Sequence, residues 1–227
     1  MKNLSRLLLI LVVGWISVVT FKVIHQPEMI QKQDNLPVFH TKQDYSQNTY
    51  PGLVRLSKDG QFFCSGAVIS DDYVLTAAHC LVDENGQMLD EEFDVLSLDG
   101  SNKVKVTAAG INQRADYALV KGSFKQYTKT EINLDPGLPM GDSAYIACGF
   151  PWDSSDICYF LDSKFVTYYD GFATGGRLYA GMSGGPVVDL NRVMIVAVNS
   201  AVGDGYVIIM PLIGLFETLG VKVVKDE

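Results

Sequence analysis

Gly181-Met182-Ser183-Gly184-Gly185-Pro186 sets three glycines and a proline around one hydroxyl. Glycine enters the left-handed backbone region without a Cβ penalty, and proline fixes its own φ, so this stretch reads as a tight loop with inward-turned N–H groups. A plain glycine-rich hairpin turn is the alternative. Two other stretches bear on the choice. Thr76-Ala77-Ala78-His79-Cys80 follows the run C-S-G-A-V-I-S from Cys64 to Ser70, and Asp116 stands ahead of Tyr117-Ala118-Leu119-Val120. A serine hydroxyl is a weak nucleophile at neutral pH unless a neighbouring base takes its proton. Histidine can do so, because its ordinary pKa of about 6.5 lets it accept and return a proton. Of the three histidines, His25 borders an apolar segment and His40 lies in a polar tract, which leaves His79 in the part patterned to fold. A carboxylate on the far ring nitrogen would fix the tautomer. Asp116 suits that role, since the apolar run behind it keeps it near a cleft floor, whereas Asp94 and Asp99 sit among turn residues and read as solvated.

In this order and context the three motifs are similar to those of the trypsin-like (chymotrypsin-fold) serine proteases in their compact bacterial or viral form. The resemblance runs from about Tyr50 to about Gly220. It implies a serine endopeptidase acting on polypeptides through an acyl-enzyme, with His79, Asp116 and Ser183 as catalytic residues and the amides of Gly181 and Ser183 as the oxyanion hole. It also implies a Cys64–Cys80 bridge, and substrate-backbone pairing along Asn199, Ser200 and Ala201. Arg177, six residues before the serine, matches the base of the side-chain pocket and would favour an acidic residue there; a surface arginine is the other reading. The chain departs from the animal members at Met182, where they carry an aspartate that pairs with a newly released N-terminus. No I-V-G-G segment precedes Tyr50 either, so a site formed without propeptide removal is expected.

The 227 residues are 48 % hydrophobic and 19 % charged, with a net charge of −8. Without Lys2, Arg6 and Lys22 the remainder stands near −11, which disfavours nucleic acid as a partner. Residues 1–24 contain an apolar run, Leu7 to Ile24, behind Lys2 and Arg6; it reads as a signal anchor, or as a cleaved signal peptide. Either places the rest outside the cytoplasm, tethered to a membrane or secreted. Residues 25–49 are polar, carry Pro27 and Pro37, and read as a tether.

From Tyr50 the pattern becomes short apolar alternations between turn residues. Strands are expected at Leu53 to Leu56, Phe62 to Ile69, Tyr73 to Ala77, Phe93 to Leu98, Val104 to Ala109 and Tyr117 to Val120. A second set is expected at Ala144 to Cys148, Cys158 to Phe160, Lys164 to Tyr168, Pro186 to Asp189, Val193 to Val198 and Tyr206 to Met210, with a short helix over Ile213 to Leu219. Many short strands indicate an all-β barrel or sandwich. The resemblance narrows this to two six-stranded antiparallel barrels, at about 50–121 and 140–220, joined by a polar linker at about 122–139. Cys148 and Cys158 lie ten apart across an expected hairpin and are paired. Four cysteines after an export-type segment suit an oxidising compartment, four reduced thiols in the cytosol being the alternative. Scattered histidines and the absence of C-x-x-C or H-E-x-x-H spacing give no metal site, and no phosphate-cradling loop calls for a cofactor. A catalytically silent binding protein of this fold, and a membrane-tethered processing or defence protease with one dedicated target, are the competing functions.

Overall fold

A computed structural model describes residue 50 and residues 52–133, 144–152, 157–162, 164–191, 194–203, 206–212 and 215. The expected anchor and tether, part of the linker and the terminal helix other than Leu215 lie outside the described residues. Among the described residues no helix is long and apolar enough to cross a membrane.

The expected all-β architecture is observed. Strands β1 (Leu53–Lys58), β2 (Gln61–Val68), β3 (Tyr73–Thr76), β4 (Phe93–Leu96), β5 (Lys103–Asn112) and β6 (Tyr117–Lys121) close into an antiparallel barrel in the order β1-β2-β3-β6-β5-β4. Asp59 and Gly60, with φ of 51° and 78°, make the tight turn between β1 and β2 that an Asp-Gly pair favours. Alternate residues enter the barrel: Val54, Leu56, Val74, Val95, Ala118 and Val120 share one core. The opposite faces of β3 and β6 are buried too. Leu75, Tyr117 and Leu119 pack with Ile195, Val198 and Met210 of the second sheet and with Leu212 just beyond it. Burial on both faces explains why Tyr117 to Val120 is apolar throughout.

The second set differs from expectation. Strands β7 (Tyr145–Cys148), β8 (Cys158–Leu161), β9 (Phe165–Tyr168), β10 (Gly171–Thr174), β11 (Pro186–Asp189), β12 (Met194–Gly203) and β13 (Tyr206–Pro211) form one seven-stranded sheet, ordered β8-β7-β11-β12-β13-β10-β9, and not a closed six-stranded barrel. The addition is β10, which pairs β9 and β13. Its four residues begin at Gly171, behind Asp170, and run straight into Gly175-Gly176, so composition marks it as turn rather than strand. The sheet curls: Tyr145 of β7 meets Phe165 of β9 edge-on at 5.1 Å, and Asp162 N–H donates to Gly175 O at 2.8 Å.

One further correction concerns a single residue. Asp94 is buried, not solvated; β4 turns its carboxylate toward Lys103 and Lys105 on β5, at 2.6 and 3.0 Å. His79 lies on a one-turn 3-10 helix, Ala78–Leu81, that follows β3.

Candidate active site

Neighbouring strands of the closed barrel bring His79 and Asp116 together. Thr76 at the end of β3 pairs with Ala118 near the start of β6, so the residues just beyond both strand ends meet on one rim. The Asp116 carboxylate accepts the His79 main-chain N–H at 2.9 Å and faces Nδ1 at 2.9 and 3.1 Å. Because an ionised carboxylate only accepts, Nδ1 carries the hydrogen of this contact, which leaves Nε2 as the ring nitrogen able to exchange a proton. The turn into Asp116 is fixed by Asn112, whose Oδ1 accepts from Ala115 N–H, and Asp116 takes a left-handed φ of 42°. Burial pushes the Asp116 carboxyl up, but hydrogen bonds from His79 and Ser200 more than offset this and hold it below the usual carboxylate range.

Ser200 donates its hydroxyl to the same carboxylate. The register of β12 against β13 shifts between Asn199 and Ala201, and this bulge at Ser200 re-aims the side chain. Asn199 has a different place from the substrate side: its side chain is fully buried, and its N–H and C=O are bonded to Gly185 O and Gly184 N. Ala201 and Arg177 are exposed.

The 181–186 loop packs against the segment leading to His79. A Cβ on Gly184 would lie 2.1 Å from Thr76 Oγ1 and 2.6 Å from Ala77 N; one on Gly185 would lie 2.0 Å from Cys148 O. Gly181 and Gly184 have φ of 94° and 78°, so glycine is required at 184 by both space and conformation. Ser65, on β2, ties the loop to the barrel. Its N–H donates to Ser183 O at 2.8 Å, and its Oγ donates to Gly181 O at 2.7 Å while accepting Phe150 N–H. Nothing in the sequence reading singled out Ser65; a small polar residue inside an apolar strand was the available signal. Among the described residues no hydrogen bond joins Ser183 Oγ to the imidazole, and the N–H groups of Gly181 and Ser183 donate to none of them.

Cys64 and Cys80 are bridged, as are Cys148 and Cys158, the latter across paired positions of β7 and β8. Ligand atoms of Cys64, His79 and Cys80 lie within 4.8 Å of one another, but both sulfurs are spent in the disulfide and cannot serve as thiolate ligands.

The sequence profile of the trypsin-like peptidase domain matches residues 64–198, more than half of the chain. The chain belongs to the trypsin-like peptidase family. It is 30 % identical over 100 residues to the snake venom serine proteases KN11 and KN2 of Trimeresurus stejnegeri, a region covering 44 % of this chain and 36 % of each of theirs. It thus spans about a third of the length of those relatives. In fold it is similar to the active form of the Rv3671c protease of M. tuberculosis, with a TM-score of 0.60 at 16 % identity over 81 % of this chain and 87 % of that one. The serine endoprotease of Yersinia pestis gives a TM-score of 0.58 at 19 % identity, over 73 % and 60 %.

Proposed function

We propose that this trypsin-like domain is a serine endopeptidase, with His79, Asp116 and Ser183 as its catalytic residues. Ser183 Oγ attacks the scissile carbonyl carbon while His79 Nε2 takes its proton, and the oxyanion that forms accepts the N–H groups of Gly181 and Ser183. Collapse breaks the C–N bond, His79 returns the proton to the leaving amine, and water then hydrolyses the ester by the reverse transfers. Asp116 keeps the ring in one tautomer and stabilises the imidazolium. Ser200 assists by donating to Oδ2, the carboxylate oxygen nearer to Nδ1. The observation that carries this reading is a carboxylate-bound imidazole beside a glycine loop in which the two amides flanking Met182 donate to none of the described residues.

The substrate main chain adds as a strand along Ser200 to Gly203, where β12 is paired with β13 but has run past β11. Arg177 meets the side chain before the cut and favours an acidic one. A peptide library varied at that position would show a preference for Lys or Arg if this last assignment fails. The two disulfides support work in an oxidising compartment, reached through the apolar run of residues 7–24 as anchor or signal. Ser183→Ala tests the chemistry: peptide hydrolysis and labelling by a fluorophosphonate should both vanish. Undiminished turnover in that variant, or no labelling of the folded wild-type protein, would leave the silent binding protein as the better reading.

A further inference from the structure

Main-chain bonding in the serine loop follows a pattern. A trans peptide points its C=O and N–H in opposite directions, so pinning one aims the other. In the Ala180–Gly181 peptide the carbonyl accepts Trp152 N–H at 2.9 Å. In the Met182–Ser183 peptide the carbonyl accepts Gly185 N–H at 3.0 Å and Asn199 Nδ2 at 3.2 Å. The intervening Gly181–Met182 peptide is turned over, with its C=O on Ser65 Oγ and its N–H on Tyr179 O. Alternate peptides are therefore fixed by their carbonyls, and among the described residues the amides left over are those of Gly181 and Ser183.

Among the described residues one side chain contributes to the two peptides that present those amides, and it is Asn199. Its other amide hydrogen goes to Cys148 O at 2.8 Å, the carbonyl against which Gly185 is packed. The carboxamide offers two donors here without the large desolvation cost of a buried ammonium, while its own buried Oδ1 has no partner among the described residues. Met182 itself is fully buried and uncharged, so it can make no ion pair that would orient the peptide.

We propose that Asn199 is a positioning residue: its carboxamide holds the Met182 carbonyl inward, so that the Ser183 N–H faces the reacting oxygen and the oxyanion hole stands ready without a released N-terminus. This rests on the reading of Ser183 as nucleophile. Asn199→Leu keeps the volume and removes both donors. Removing one oxyanion-hole donor outright lowers kcat by about 10²–10³-fold, so misaiming one should cost about 10–100-fold. The expected result with a peptide amide is that fall in kcat, KM within about twofold, and a parallel fall in affinity for a peptidyl boronate that forms the tetrahedral adduct. A non-covalent product peptide should bind as before. Unchanged kcat, or equal losses for boronate and product peptide, would overturn the proposal by reducing Asn199 to a core residue. If Asn199→Leu unfolds, Asn199→Ser keeps one donor and is read in the same assays. Intermediate kcat and boronate affinity with normal product binding support the proposal; wild-type values, or uniform loss, refute it. Fluorophosphonate labelling of the wild-type protein, lost in Ser183→Ala, separates failure of this inference from failure of the nucleophile assignment.

Discussion

The closed barrel and the seven-stranded sheet contribute to the site by different means. In the barrel, His79 and Asp116 are placed by ladder register: β3 pairs with β6 over four successive positions, and both strands are buried on either face. In the sheet, the serine loop lies outside any ladder. Apart from the main-chain bonds of Gly184 and Gly185 to Asn199, which continue the β11–β12 pairing, it is held by single bonds with Ser65, Trp152, Tyr179 and Asn199, two of them made by side chains. A ladder distributes positioning over many peptide groups, so one lost side chain changes stability more than geometry. A loop held by single bonds has no such redundancy, and loss of one donor should move the reacting groups.

The largest effect should come where the two regions meet, at Asp116. The carboxylate collects bonds from His79 N–H, His79 Nδ1 and Ser200 Oγ. Asp116→Asn keeps the shape but presents an amide donor to the ring, which selects the wrong tautomer. A loss of about 10⁴ in kcat at neutral pH, with the fold retained, is expected from peptide hydrolysis assays. A loss below tenfold would mean that ladder register alone orients the histidine.

Ser65→Ala comes next and probes the loop side of the comparison. It removes the Oγ bridge, leaving the buried Phe150 N–H and Gly181 O without that partner. Stability should fall by about 2 kcal/mol by denaturant unfolding, and kcat by roughly tenfold. By contrast, Leu56→Ala inside the closed barrel should cost about 3 kcal/mol through the cavity it opens and leave kcat within about twofold. If Leu56→Ala depressed kcat as much as Ser65→Ala, the division between ladder-held and bond-held regions would collapse.

The same division marks what could be read in the sequence. Strands with alternating or wholly apolar runs, such as Tyr117 to Val120, announce themselves locally, as does the Asp59-Gly60 turn. The motifs around His79, Asp116 and Ser183 can be read locally because their neighbours also matter: Gly184 faces Thr76 at a distance no side chain tolerates. The bond-held features were not. Ser65 finds Gly181 across 116 positions of chain, and no local pattern announces such a partner. Asn199 reads like the open strand that follows it, and nothing in the local pattern announces its burial. Strand β10 was hidden by the glycines at its ends, although Asp170-Gly171 is itself a hairpin signal.

Asp94 supplies the smallest test and bears on the barrel alone. Burial raises its carboxyl, yet the Lys103 and Lys105 ammonium groups more than offset that and hold it below the ordinary range. A depressed folded-state pKa means that the unfolded chain takes up the proton first as pH falls. The stabilisation is therefore complete above the unfolded value of about 3.9 and is lost as pH drops through the lower folded value. Asp94→Asn should cost about 2 kcal/mol at pH 7. The gap between variant and wild type should hold down to about pH 5 and then narrow toward pH 2, while kcat is unaffected because Asp94 lies on β4, a strand that pairs with neither β3 nor β6. Other carboxylates with lowered values, Asp99 at about 2 among them, destabilise both proteins alike in acid, so the difference between them isolates Asp94. A gap that stayed constant from pH 7 to 2 would show that the cost is one of shape and not of charge. The two lysines would then be ordinary surface groups, and the barrel's stability would owe nothing to its one buried ion-paired carboxylate among the described strands.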